Sequence, residues 1–240
     1  MSSVDQQEQI PPGSQDLGLE RIIFFSDAVM AIAITLLVVE IHVPEIPKQL
    51  AAAELPRQLL SMAPKFTSFV LSFAIIGVYW LAHHRYYRHI VRYDTRLILL
   101  NLLFLFFIAI LPFVTNLLGT YAYLPLANIA YALTAAALGL AAAGMWWYAS
   151  HNHRLVAKDL DPQLIRSTSV RGLSGPIVFL LSVPFAASRP LLAQITWSLS
   201  PIVSTGTLLT LRVLSRGRSL LGPRSRTPHA EGGRPRSAQP

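Results

Sequence analysis

A carboxylate stands inside the first long hydrophobic stretch of this chain, at Asp27 in the run Arg21-Ile22-Ile23-Phe24-Phe25-Ser26-Asp27. Within a membrane helix such a charge costs about 2.5 to 3.5 kcal/mol, so it needs a partner, a wet cavity or a task. Suitable partners stand in the next two hydrophobic stretches. Phe73, Gly77, Trp80 and His84 recur at i, i+4, i+7 and i+11 and form one helical stripe, with His83 beside it, while Asn101 stands near the start of the third stretch. A carboxylate with two imidazoles is the set that relays protons in pumps, so Asp27 with His83 or His84 suits a proton-coupled secondary transporter. The same residues equally suit a structural clasp, or, for Trp80, His83 and His84, anchoring at the membrane interface where amphipathic rings settle.

The first helix has a second side of different chemistry. At about 100° per residue, Phe25, Ala28, Leu36 and Val39 fall within about 40° of Ile32, and Thr35 lies about 60° away. Asp27 is about 140° from Ile32, so the charge and the smooth apolar face cannot line one surface. Arg21 is about 20° from Ile32 and about 120° from Asp27, which excludes a simple ion pair along the helix. Taken alone, the apolar face reads as helix packing, and Thr35 as a hydroxyl bonded back to its own helix.

The elements that must position these residues are membrane spans. Of the 240 residues, 52% are hydrophobic and 13% charged, with a mean hydropathy of +0.46. Soluble domains carry about 25% charged residues. The fold class is therefore all-α and polytopic. Six stretches approach the length of about 20 apolar residues that a span requires: 21–42, 64–84, 97–118, 125–148, 172–188 and 191–213. Pro176 and Pro184 interrupt the fifth, the third and fourth form a tight hairpin around Gly119 to Leu124, and a short amphipathic helix is expected from Pro47 to Leu60. Sixteen of the 20 Lys and Arg alternate onto one side of these six spans, leaving only Lys48, Arg57, Lys65 and Arg189 opposite. The positive-inside rule then puts both termini in the cytosol.

Residues 1–18 read as an acidic disordered segment, 19–213 as the six-helix domain and 214–240 as a disordered basic cytosolic tail. The acidic start has the wrong sign for a secretory leader, so the first span is expected to be retained. The tail reads as a topology determinant near anionic lipid, not as a nucleic-acid binder. With no cysteine, disulfides, thiolate metal sites and a cysteine nucleophile are excluded. No nucleophile motif, phosphate loop or His-Glu-x-x-His metal signature occurs, so neither an enzyme nor a cofactor is expected.

Arg21 with Phe25-Ser26-Asp27 and Ile32, then Tyr79-Trp80, His83-His84, Asn101 and Leu111-Pro112-Phe113, resembles the bacterial branch of the transmembrane protein 175 family of potassium channels. The resemblance covers about residues 18–118, with the later spans agreeing in topology. It implies a homotetramer in a bacterial plasma membrane, permeant to potassium, with the first helix lining the pore. Ile32, Leu36 and Val39 would then form the hydrophobic constriction, and Thr35 would match the family's selectivity threonine. Arg21, Phe25, Ser26, Asp27, Trp80, His83, His84 and Asn101 would make up a structural network. No Thr-Val-Gly-Tyr-Gly filter loop is present.

Overall fold

The structure is a computed structural model that describes residues 14–197. Six α-helices follow in order, α1 (Ser14–Val39), α2 (Ala51–Ser61), α3 (Ala63–Tyr87), α4 (Thr95–Thr120), α5 (Pro125–Ser150) and α6 (Pro162–Ser188), and residues 190–197 are again helical. Five of them, all but the short α2, are long and apolar enough to cross a membrane. At 1.5 Å per residue, the 26-residue helices α1, α4 and α5 reach about 39 Å, more than the hydrocarbon core of about 30 Å. No β-strand occurs among the described residues, only an isolated bridge between Ile90 and Val156.

Two limits differ most from the sequence-based expectation, while the first span ends at Val39 in place of residue 42 and the short helix expected from Pro47 to Leu60 runs Ala51–Ser61. The fifth span starts at Pro162 instead of residue 172 and runs unbroken through both prolines. Its first turns carry Gln163, Arg166, Ser167, Thr168 and Arg171, polar enough to hide a helix that the Asp161 cap and Pro162 nonetheless start. The Asp161 side chain accepts from Gln163 N at 2.8 Å. The first helix begins at Ser14, inside the segment read as disordered. Asp16 in its first turn complements the helix dipole, and Gly18 packs against the end of the Tyr93 ring, which would have to move to admit a side chain there. The rest of the expected sixth span, residues 1–13 and the expected tail at 214–240 lie outside the described residues.

α5 is the centre of the packing. Ala132, Ala135, Ala136, Gly139 and Ala142 keep its surface thin, which lets α4 and α6 approach closely, as small residues do between membrane helices. Gly139 faces Pro176 of α6 and the Tyr79 hydroxyl of α3, so α5 has no room for a side chain there. Polar contacts tie the helices at several heights. Ser72 Oγ lies 2.8 Å from Tyr131 OH and 2.7 Å from Thr115 Oγ1, joining α3, α4 and α5. Beyond Arg189 the chain folds back on α6, and the Trp197 indole donates to Ser182 Oγ at 2.6 Å while its ring packs on Tyr131 and Phe179.

At the arginine-rich end the α3–α4 and α5–α6 connections are clasped. Asp94 caps α4, accepting from Leu97 N at 2.8 Å and from the Tyr148 hydroxyl at 2.6 Å. The Arg154 guanidinium sits 4.8 Å from the centroid of the Tyr148 ring, and Val91 N donates to Leu155 O at 2.9 Å. Desolvation pushes the Asp94 carboxyl up, but the bonds from Tyr148 and Leu97 and the charges of Arg154 and Arg96 outweigh it and hold the carboxyl below its ordinary value. The clasp is therefore worth most above about pH 3.9, the value of a free aspartate, and fades as pH falls through the lower folded value. Asp94→Ala is expected to cost about 1 kcal/mol through loss of the cap. Thermal melting of the detergent-solubilised protein should fall at pH 7, with the deficit shrinking in acid; an unchanged melt would remove Asp94 from the ledger.

Candidate functional site

α1 rests on α3 and α4 along one row and leaves its other side open. Ser26, Met30, Ala33 and Leu37, spaced i, i+4, i+7 and i+11, are buried against the bundle. On the other side Ile32 is 59% exposed, and Phe25, Leu36 and Val39 are exposed beside it. Arg21, Ala28 and Thr35 are exposed on the same side. The Thr35 hydroxyl donates to the Ile32 carbonyl at 2.8 Å, so its hydrogen is used within the helix while its oxygen lone pairs stay free.

The rotation of α1 is set by a hydrogen-bonded chain through three helices. Asn101 Nδ2 of α4 donates to Ser26 Oγ at 2.9 Å, and Ser26 Oγ donates on to the Ile22 carbonyl at 2.8 Å. The remaining amide atom, Asn101 Oδ1, can only accept, so His83 Nε2 of α3, 3.0 Å away, is the donor and the neutral ring carries its proton there. His83 Nδ1 is then a buried acceptor without a hydrogen-bond partner among the described residues. The imidazole packs against Tyr87 and Phe104, with centroids at 4.4 and 5.6 Å. Ser26 is fully buried, and His83 and Asn101 are each 2% exposed, so these bonds are shut off from bulk solvent.

Asp27 belongs to a separate set. It is half-buried, and its Oδ1 accepts from the Trp80 indole N–H at 2.9 Å; Trp80 in turn stacks on His84 with centroids 6.1 Å apart. The expected network thus divides in two. Asp27 takes Trp80 alone among the partners considered, and Ser26 takes the place expected of the carboxylate as the group that meets Asn101. His84 is exposed and makes no hydrogen bond to the buried chain, and Phe25 and Arg21 lie on the open side of α1. At the far end of α1, Asn116 Nδ2 of α4 donates to Glu40 Oε2 at 2.7 Å. The sequence reading missed this contact, the Ser72–Thr115–Tyr131 cluster and the Asp94 clasp. Only Asp94 announced itself, as a capping residue directly before a hydrophobic run. No group of three His, Asp or Glu that could hold a metal ion occurs among the described residues.

Fold and site together define a multi-pass helical membrane protein whose first helix is locked on one side and open on the other. The model of the family described as endosomal/lysosomal potassium channel TMEM175 matches residues 21–112. A potassium channel of Streptomyces collinus is 34% identical over 176 residues, covering 71% of this chain and 84% of that protein. A potassium channel of Chamaesiphon minutus is 37% identical over 171 residues, covering 70% of this chain and 83% of that one. The human endosomal/lysosomal proton channel TMEM175 is 30% identical over 173 residues, and the match spans 33% of its length. Among solved structures, that of a lysosomal potassium-selective channel TMEM175 homolog from Chamaesiphon minutus superposes with a TM-score of 0.68 at 28% identity, covering 80% of this chain and 97% of that one. The chain belongs to the TMEM175 family.

The two sets of bonds differ in burial, and so in their expected energetic weight. Asn101→Leu leaves His83 with neither ring nitrogen bonded and takes one hydrogen bond from the Ser26 hydroxyl, which keeps the Ile22 carbonyl, and should cost about 1 to 3 kcal/mol. Trp80→Phe breaks only the half-exposed bond to Asp27, for which about 1 kcal/mol is expected. Unfolding of the two variants in detergent checks the order; equal losses would contradict Ser26, and not Asp27, being the main lock on α1.

Proposed function

We propose that this chain is one subunit of a potassium-preferring channel in a bacterial plasma membrane, and that the open face of α1 walls its conduction pathway. The observation that carries this reading is the division of α1 into a bonded row through Ser26 and an apolar row through Ile32 that the protomer leaves uncovered. One helix cannot enclose a pathway, but four copies of one face can, and a homotetramer is the assembly this reading requires. Both termini lie in the cytosol under the arginine bias, with six spans per subunit.

Ile32, with Leu36 and Val39 as further layers, then forms a constriction that dewets or obstructs the pathway, so that an ion must shed water to pass. Potassium gives up its hydration shell more readily than sodium, which favours it in a narrow and weakly compensating passage. Thr35 offers the missing ligand atoms in part: its hydroxyl hydrogen is engaged by the Ile32 carbonyl, and the oxygen lone pairs are left for a cation. Arg21 stands on the same side at the cytosolic mouth and makes no hydrogen bond to any described residue. No cofactor enters this reading, and the reaction is passive permeation, not catalysis.

A proton pathway is the second reading, favoured by the human relative's being a proton channel. In this chain Asp27 and His83 sit in separate hydrogen-bonded sets. The Trp80 indole that meets Asp27 only donates, so it cannot hand a proton onward. A proton-coupled transporter built on Asp27 with His83 or His84 therefore lacks a continuous relay among these side chains.

Recording in planar bilayers with potassium on one side and sodium on the other tests the proposal. Ile32→Asn should raise conductance several-fold and lower the potassium preference by about tenfold, equivalent to about 1.4 kcal/mol. Thr35→Ala should shift the reversal potential with less effect on conductance. Unaltered currents in Ile32→Asn would take this face out of the pathway, and a reversal potential that follows the proton gradient would install the second reading.

A further inference from the structure

α2 leaves its apolar side uncovered, and the geometry indicates what covers it. At about 100° per residue, Ala51, Ala52, Leu55, Pro56 and Leu59 gather on one side of the helix, with Leu60 at the border and Glu54, Arg57, Gln58 and Ser61 opposite. No residue of α2 is buried. The half-buried row is Ala51, Glu54, Gln58 and Met62, at i, i+3, i+7 and i+11, and within it Gln58 donates to Glu54. This row lies roughly a quarter turn from the leucines on one flank and roughly a quarter turn from Arg57 and Ser61 on the other. The helix thus has a half-buried row, with an apolar flank and a polar flank each at about a right angle to it.

That arrangement is the one a helix adopts when it lies in the plane of a membrane surface beside a spanning bundle. Its position agrees. Only Met62 separates α2 from the span α3, so α2 stands at the level where α3 enters the membrane. Lys48, Arg57 and Lys65 outnumber Glu45 and Glu54 in and beside it, and this positive excess matches the charge of lipid phosphates. On its other side, residues 40–50 connect it to the end of α1, with Pro44 and Pro47 limiting the slack in that connection.

We propose that α2 lies at the boundary between headgroups and acyl chains, with Leu55 and Leu59 in lipid and Lys48, Arg57 and Lys65 among phosphates. In this position α2 anchors the adjoining end of α1 to one leaflet. The occupant of the apolar flank is the bilayer, not a second copy of the chain. The inference rests on the membrane-spanning reading of α1 and α3 and is independent of which ion passes.

The chain has no cysteine, so single labels can be placed cleanly. Ala52→Cys, Leu55→Cys and Leu59→Cys report the apolar flank, and Arg57→Cys and Ser61→Cys the polar one. Each full-length variant that elutes as the unsubstituted protein does would carry a nitroxide and be reconstituted in vesicles of phosphatidylethanolamine and phosphatidylglycerol. Collision rates with oxygen and with an aqueous nickel chelate then distinguish lipid from water. Labels at 52, 55 and 59 should favour oxygen and those at 57 and 61 nickel, each by several-fold. Slow, shielded labels at 55 and 59, inaccessible to both reagents, would mean that a second copy covers the flank; ready access of all five to nickel would place α2 in water. Either result overturns the proposal, and Ala52→Cys keeps the test open if the leucine variants do not assemble.

Discussion

Hydrocarbon offers a polar group no partner, so each hydroxyl, amide and imidazole within a span has to be met by protein. On α1 this constraint falls mainly on Ser26, which finds Asn101 and through it His83. The arrangement depends on the rotation of α1. Turning α1 by one residue, about 100°, would take Ser26 out of reach of Asn101 and leave the buried Asn101 Nδ2 without its partner, while the His83–Asn101 bond between α3 and α4 would remain. The bonded chain thereby determines which residues of α1 face outward, and Ile32 is exposed because Ser26 is held.

The other polar contacts extend the same logic along the bundle. Helices gain little from hydrophobic association in lipid, so they depend on close packing and on occasional hydrogen bonds across the interface. Here the close packing is the work of the alanines and Gly139 of α5, and the bonds join helices at different heights: Asp94 with Tyr148, Ser72 with Tyr131, Asn116 with Glu40 and Gln194 with Asn128. Two of these ties, at Ser26 and Glu40, hold α1 to α4 some distance apart, which fixes its tilt as well as its rotation.

Much of this was legible in the sequence because hydropathy and helical period are properties of single segments. The spans at 64–84, 97–118 and 125–148 needed only minor extension, and the two sides of α1 followed from the wheel. The early start of α6 was hidden because Arg166 and Arg171 lower the local hydropathy of turns that are nonetheless helical. The hub of the network was misplaced for a related reason. A charge attracts attention in proportion to its cost in lipid, and Asp27 is the costlier group, but which of two adjacent side chains faces the bundle depends on the neighbouring helices. Ser26 points inward and Asp27 lies on the flank, where an indole suffices.

This separation explains how one short signature serves two ends. The residues that hold α1 lie on its inner row and are satisfied by protein alone, whatever passes on the other side. The outer row carries no polar group needed for packing, so under the channel reading its chemistry is free to be set by the ion, within the limit that it remain apolar. A hydroxyl on that row is tolerated because Thr35 returns its hydrogen to the helix backbone. The same bond leaves the Thr35 hydroxyl only acceptor lone pairs to present outward, which suit a bare cation. Under the channel reading, the bonds that hold Ser26 and a Thr35 hydroxyl that can only accept from its outer side are what distinguish cation permeation here from a proton relay.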